Sequence, residues 1–143
     1  MPPSGNARRD RVLLAVRLLS GGVFVVFGIA KFVNRGSELA SFKTYGLPAP
    51  EALVIVIGLV ELVGGLLLMI GVLTRPAAVV LAGDMIGAIV VSGIAKGETI
   101  SLTLAPAELV VMLLLLWTGP GALSVRPSPA VTASRRYAME LWR

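Results

Sequence analysis

Four long apolar stretches dominate the chain and limit what it can fold into. They cover residues 12–33, 52–73, 77–94 and 100–117. Each is close to the length of about 20 residues that an α-helix needs to cross the hydrocarbon core of a bilayer. In lipid the backbone must satisfy its own hydrogen bonds, which favours helices over irregular chain. We therefore predict an all-α integral membrane protein whose four helices form a bundle.

Composition excludes several classes of protein. The apolar fraction is 56%, above the roughly 45–50% of soluble domains. The chain has neither Cys nor His, so we expect no disulfide, no thiolate or imidazole catalysis, and no metal or haem ligated by this chain. Any redox role would use a bound organic carrier or a partner's cofactor. The basic residues flank apolar segments, so the expected partner is the lipid bilayer and not nucleic acid.

The placement of Lys and Arg predicts the orientation. Nine of the 13 basic residues lie on the side that holds both chain ends, and the other four lie on the opposite side. The positive-inside rule therefore places both termini in the cytoplasm. We predict a basic N-terminus (1–11), a transmembrane domain (12–118) and a basic tail (119–143). The end of that tail is expected to form an amphipathic helix on the membrane surface or to remain solvated.

The connections between the helices carry their own predictions. Residues 34–51 form the longest connection, and its aromatic residues favour a position at the membrane interface. Thr74, Arg75 and Pro76 make a very short link, so the second and third spans should be antiparallel neighbours. Pro106 is expected in the first turn of the fourth helix, which would leave residues 102–105 irregular.

Five charged side chains fall at membrane depth, where a charge is costly and needs a partner or a wet cavity. They are Arg17, Lys31, Glu61, Asp84 and Glu108. Most lie three or four residues from glycines, on the face of each helix that should pack inward. These five form the candidate intramembrane polar site, and Tyr45 is a candidate in the outer loop.

Depth along each helix suggests which charges meet. We expect Arg17 to pair with Asp84, and Lys31 to pair with Glu108 or Glu61. Three carboxylates face two cations, so Glu61, near the midplane, is the expected proton-exchanging group. The basic residues could instead reach the interface by extending their side chains, and the carboxylates could be structural.

Several short motifs occur in a characteristic order. They are Gly28-x2-Lys31-Phe32, Phe42-x2-Tyr45-Gly46-Leu47-Pro48, Glu61-x2-Gly64-Gly65-Leu66-x4-Gly71 with Thr74-Arg75, and Gly119-Pro120-Gly121-x2-Ser124. From about Arg17 to Ser124, the chain resembles the DoxX family of small four-helix bacterial membrane proteins. Lys31 and Glu61 match the family's polar membrane positions. The acidic residue that often follows the last motif's serine is replaced here by Val125.

The resemblance implies a multi-pass protein of the bacterial plasma membrane and an oxidoreductase type of function. Such a subunit would pass electrons toward quinone from a sulfur compound or a soluble redox partner. Quinone is then the expected cofactor, and a homo-oligomer is possible. Two alternatives remain open: a non-catalytic scaffold for soluble redox or stress proteins, and a small-molecule or lipid transporter. A polar cavity open to lipid would favour the redox subunit. A closed bundle would favour the scaffold, and a water path across the membrane would favour the transporter.

Overall fold

The computed structural model describes residues 5–125, and this part of the chain is all-helical. The helices are α1 (Gly5–Val33), α2 (Arg35–Thr44), α3 (Pro50–Ile70), α4 (Thr74–Gly87) and α5 (Thr99–Thr118). A π-helical segment (Ala88–Ile94) continues α4. The predicted amphipathic helix at 135–143 lies outside the described residues, as does most of the basic tail.

Four segments are long and apolar enough to span a membrane, which confirms the predicted fold class. They are Ala7–Val33, Pro50–Ile70, Thr74–Ile94 and Thr99–Thr118. Large apolar side chains such as Leu19, Val63 and Val110 are exposed along these spans. Lipid is the solvent that makes such exposure favourable. The cytoplasmic location of both termini remains a prediction.

Two connections differ from the sequence prediction. α5 begins at Thr99, where Glu98 caps it, and Pro106 lies inside the helix. Residues 102–105 are therefore helical, because the cap at Glu98 starts the helix before the proline is reached. The turn between α3 and α4 is formed by residues 71–73, with positive φ angles at Gly71 (81°) and Leu73 (50°). Thr74, Arg75 and Pro76 consequently form the first turn of α4.

Glycines let α1 and α3 pack backbone to backbone. A Cβ atom placed on Gly21 would lie 2.6 Å from the carbonyl oxygen of Gly65, and the reverse substitution meets the Gly21 carbonyl at the same distance. A Cβ on Gly28 would lie 2.6 Å from the backbone nitrogen of Leu62. Small residues allow this close approach, on which helix association in lipid depends. The α1–α3 pair is therefore a closely packed half of the bundle.

Substituting Gly21 by Ala should destabilise this half, whereas the neighbouring Gly22→Ala should not. The added methyl at position 21 meets backbone, while a Cβ at Gly22 meets nothing within 4 Å. Overpacking of this kind costs about 1–3 kcal/mol. Thermal unfolding of both variants in detergent checks the difference. Equal melting temperatures would contradict the close crossing of the two helices.

Candidate functional site

A cavity of about 580 Å³ lies between the helices at the end of the bundle that carries α2. The α1–α3 pair forms one side, and α4, the π-helical segment and α5 form the other. α2 contributes Glu38, Ser41 and Phe42 to the mouth. The lining is mostly apolar, with a few polar groups converging on it, as in sites for small organic ligands. The π-helical segment, an irregularity often found at functional sites, contributes Val91 and Ser92.

Lys31, Glu61 and Asp84 form one charged group in the cavity wall. Nζ of Lys31 lies 2.8 Å from Oε2 of Glu61, and both side chains are buried. This contact is an ion pair. Asp84 interacts electrostatically with both residues. The Asp84 carboxyl lies within hydrogen-bonding reach of Glu61, and its buried Oδ2 accepts from no N–H or hydroxyl donor among residues 5–125.

The pairing of Lys31 with Glu61 is one of the two that the sequence offered. The ammonium also lies 5.9 Å from the centre of the Phe27 ring, a cation–π distance that further favours a buried cation. Two carboxylates therefore share a single ammonium. When all three groups are ionised, the group carries one negative charge in excess.

Glu108 has a neutral partner instead of a cation. The hydroxyl of Ser20 on α1 donates a hydrogen bond to Oε2 of Glu108 on α5, and both residues are buried. The predicted alternative pairing of Lys31 with Glu108 is therefore wrong. Ser20 was not among the candidates, although its spacing of four residues from Phe24 places it on the inward stripe of α1. Glu108 still lines the cavity.

Arg17 lies outside the cavity, and its predicted pairing with Asp84 is wrong. Its guanidinium donates to the carbonyls of Leu68 (2.9 Å) and Met69 (3.2 Å) in the last turn of α3. It also donates to the carbonyls of Pro120 (2.5 Å) and Leu123 (3.0 Å), beyond α5. The last carbonyls of a helix have no partner within it and attract a cation. Arg17 thus has a structural role: it connects the end of α3 to the segment after α5, at the end of the bundle where α1 begins.

Tyr45 lies at the mouth of the cavity, and its ring is 6.2 Å from that of Phe42. Opposite it, Glu98 caps α5. The carboxylate of Glu98 accepts hydrogen bonds from the backbone N–H of Ile100 (3.2 Å) and Ser101 (2.8 Å) and from the Ser101 hydroxyl. Partial burial raises the pKa of Glu98, but these hydrogen bonds outweigh it and hold that pKa below its ordinary value of 4.5.

The cap at Glu98 should make the start of α5 sensitive to acid. Because the pKa of Glu98 is lowered by folding, its stabilisation is complete above pH 4.5 and is lost as the pH falls through the lower, folded value. Hydrogen-exchange protection factors at Ile100 and Ser101 should therefore decrease in acid. The Glu98→Gln variant should show lower protection without this pH dependence. An unchanged acid response in that variant would exclude Glu98 as its origin.

Four of the six candidate residues therefore meet around one cavity with Tyr45 at its mouth, and Arg17 does not. Whether these residues act in a reaction remains a prediction. Among residues 5–125 there is no group of three or more His, Cys, Asp or Glu side chains that could hold a metal ion. The side chains that converge on the cavity instead suit a ligand with hydroxyl or carbonyl groups.

Fold and cavity together define a multi-pass membrane protein with a polar site between its helices. The DoxX family model matches residues 12–94. The chain belongs to the DoxX family, and the resemblance noted in its motifs is confirmed.

Relatives support this assignment over most of the chain. The membrane protein Rv3486 of Mycobacterium tuberculosis is 34% identical over 131 residues, which cover 79% of this chain and 78% of that protein. The inner membrane protein YphA of Escherichia coli is 28% identical over 132 residues, covering 84% of this chain and 91% of YphA. These matches, with the four apolar helices, confirm the predicted multi-pass location in the bacterial plasma membrane.

One relative carries a name that refers to chemistry. CatD of Bacillus subtilis, provisionally named an oxidoreductase, is 38% identical over 77 residues, which cover 54% of this chain and 56% of CatD. No solved structure matched the chain.

Proposed function

We propose that this protein is the membrane subunit of a quinone-linked oxidoreductase system and binds the quinone ring in the cavity between its helices. The observation that carries the proposal is the arrangement of two carboxylates around one ammonium in the cavity wall. The provisional name of CatD points to the same class of function. A bundle packed shut would instead have favoured a scaffold.

The residues present fit a quinone or its reduced form. The Lys31 ammonium is a hydrogen-bond donor for a quinone carbonyl, and the carboxylates of Asp84 and Glu61 are acceptors for the hydroxyls of a quinol. Oδ2 of Asp84 is buried and accepts from no N–H or hydroxyl donor of the described residues, so a ligand hydroxyl would find an acceptor there. Apolar residues such as Phe24, Ile57 and Leu104 line the same space and would contact the faces of a ring.

A bound quinone would supply the electron-accepting chemistry, taking up two electrons and two protons as it becomes a quinol. The charged group of Lys31, Glu61 and Asp84 would handle the protons. One proton held between Glu61 and Asp84 makes the group neutral, because the two carboxylates otherwise exceed the single ammonium by one charge. The chain has no Cys or His, the usual ligands of iron–sulfur clusters and haem iron. We therefore propose a soluble redox protein as the electron donor, docked on one membrane face.

Binding of a tail-less quinone tests the proposal directly. In equilibrium dialysis against the protein in phosphatidylcholine nanodiscs, duroquinone and duroquinol should bind in about one equivalent. The double variant Glu61→Gln, Asp84→Asn should lower the affinity for duroquinol by about tenfold or more, since a charged hydrogen bond is worth about 1.5–3 kcal/mol. Glu51→Gln, an exposed residue outside the cavity, is the matched control. Absence of saturable binding to the unmodified protein would refute the proposal.

A further inference from the structure

We propose, resting on the quinone site above, that a groove between α3 and α4 holds the isoprenoid tail of the same ligand. The groove has a volume of about 350 Å³ and extends from the cavity toward the turn between α3 and α4. Its walls include Val63 and Leu67 on α3, and Ala77 and Val80 on α4. Every residue that lines it is apolar or glycine. A hydrocarbon chain is therefore the chemistry that it fits.

The groove and the cavity meet at Val60, which lines both. Val60 directly precedes Glu61, so the junction lies beside the charged group of Lys31, Glu61 and Asp84. On α4, Gly83 and Gly87 line the cavity, and Gly83 follows Val80 of the groove by three residues. A Cβ at either glycine would meet nothing within 4 Å, and both residues are exposed. With no side chains at these two positions, a tail would leave the cavity past them.

Depth distinguishes a quinone from a membrane phospholipid as one ligand that occupies both the cavity and the groove. Glu61 is eleven residues after Pro50, where α3 begins, or about 16 Å along the helix axis. The hydrocarbon core is about 30 Å thick, so the junction lies near the bilayer midplane. The charged head group of a phospholipid is anchored at the interface and does not reach this depth. A quinone ring is only weakly polar and can reach this depth. Its tail would then lie along Val63 and Leu67.

Photolabelling with two probes separates this inference from the proposal on which it rests. The first probe is a tail-less azidobenzoquinone, and the second is a quinone with a diazirine in its isoprenoid tail. In nanodiscs, the head-group probe should label the cavity, and the tail probe should label residues 59–67 and 73–81. If tail adducts instead spread over lipid-facing positions such as Val26 and Val110 while the head-group probe labels the cavity, only the tail assignment fails. If the head-group probe shows no specific labelling, both proposals fail.

A pair of tryptophan variants gives a second, independent readout. Val80→Trp fills the groove, whereas Val110→Trp adds the same ring to an exposed position on α5 that lines neither the groove nor the cavity. Val80→Trp should weaken binding of a tailed quinone by about three- to tenfold through lost packing, with duroquinone binding unchanged. Val110→Trp should change neither. Equal affinities of all three proteins for the tailed quinone would overturn the tail assignment. If Val80→Trp fails to fold, labelling of the unmodified chain still decides.

Discussion

Replacing Arg17 by Leu should lower the stability of the bundle by at least about 3 kcal/mol, because a hydrogen bond from a charged group is worth about 1.5–3 kcal/mol and several are lost together. The side chain is only 1% exposed. Its guanidinium joins the end of α3 to the segment after α5 through four carbonyls. Leucine keeps the volume but leaves these acceptors without a donor in a water-poor region. Unfolding of purified protein in mixed micelles, followed by circular dichroism, measures the loss.

Two further variants make the Arg17 result specific. Arg17→Lys should give an intermediate stability. A single ammonium lacks the several N–H donors of the planar guanidinium, which reach the carbonyls of α3 and those after α5 together. Arg11→Leu removes an exposed arginine from the same helix and should have little effect. Should Arg17→Leu be as stable as the unmodified protein, the structural role assigned to Arg17 would be incorrect.

The second large effect concerns the single ammonium that two carboxylates share. Lys31→Met should destabilise the protein by about 3–5 kcal/mol, because Glu61 and Asp84 are left facing each other without a cation. Glu61→Gln and Asp84→Asn should each cost far less, since one carboxylate remains for Lys31 in either variant. The double variant Glu61→Gln, Asp84→Asn should cost more than the sum of the two. Denaturant unfolding of the four proteins gives the coupling free energy.

Additive costs for the two carboxylate variants would show that Glu61 and Asp84 act independently. A Lys31→Met variant as stable as the parent would show that the ammonium is dispensable and can leave for the interface. Glu38→Gln provides a control at the cavity mouth, because Glu38 lines the cavity without taking part in the charged group. Its stability should match that of the unmodified protein.

Helix faces and helix partners were not equally predictable from the residues. A spacing of three and four residues correctly predicted that Lys31 and Glu61 face the interior, because the direction of a side chain on a helix follows from its position in the sequence. The partner of each charge depended on how the helices are rotated and tilted against one another. Similar depth in the membrane suggested an ion pair of Arg17 with Asp84. Arg17 instead lies against the end of α3, where carbonyls without a partner in the helix accept hydrogen bonds from its guanidinium.

The sequence by itself determined the class of this protein. Four apolar stretches of this length specify membrane-spanning helices, because a helix satisfies all backbone hydrogen bonds of a segment within that segment. The absence of Cys and His restricts the chemistry open to the chain in the same direct way. The glycine spacing in α1 and α3 also indicated faces on which another helix can pack closely, since a residue without a side chain lets two backbones approach.

Only the tertiary structure decided where space is left. Close packing of α1 on α3, and of α4 on α5, opens the cavity and the adjoining groove between the two pairs. The hydrogen bond from Ser20 on α1 to Glu108 on α5 connects the two pairs across 88 residues of sequence. The physical reason is that a cavity forms where the surfaces of neighbouring helices do not touch. Local patterns determine which surface each helix presents, and the angles at which whole helices cross determine whether those surfaces touch.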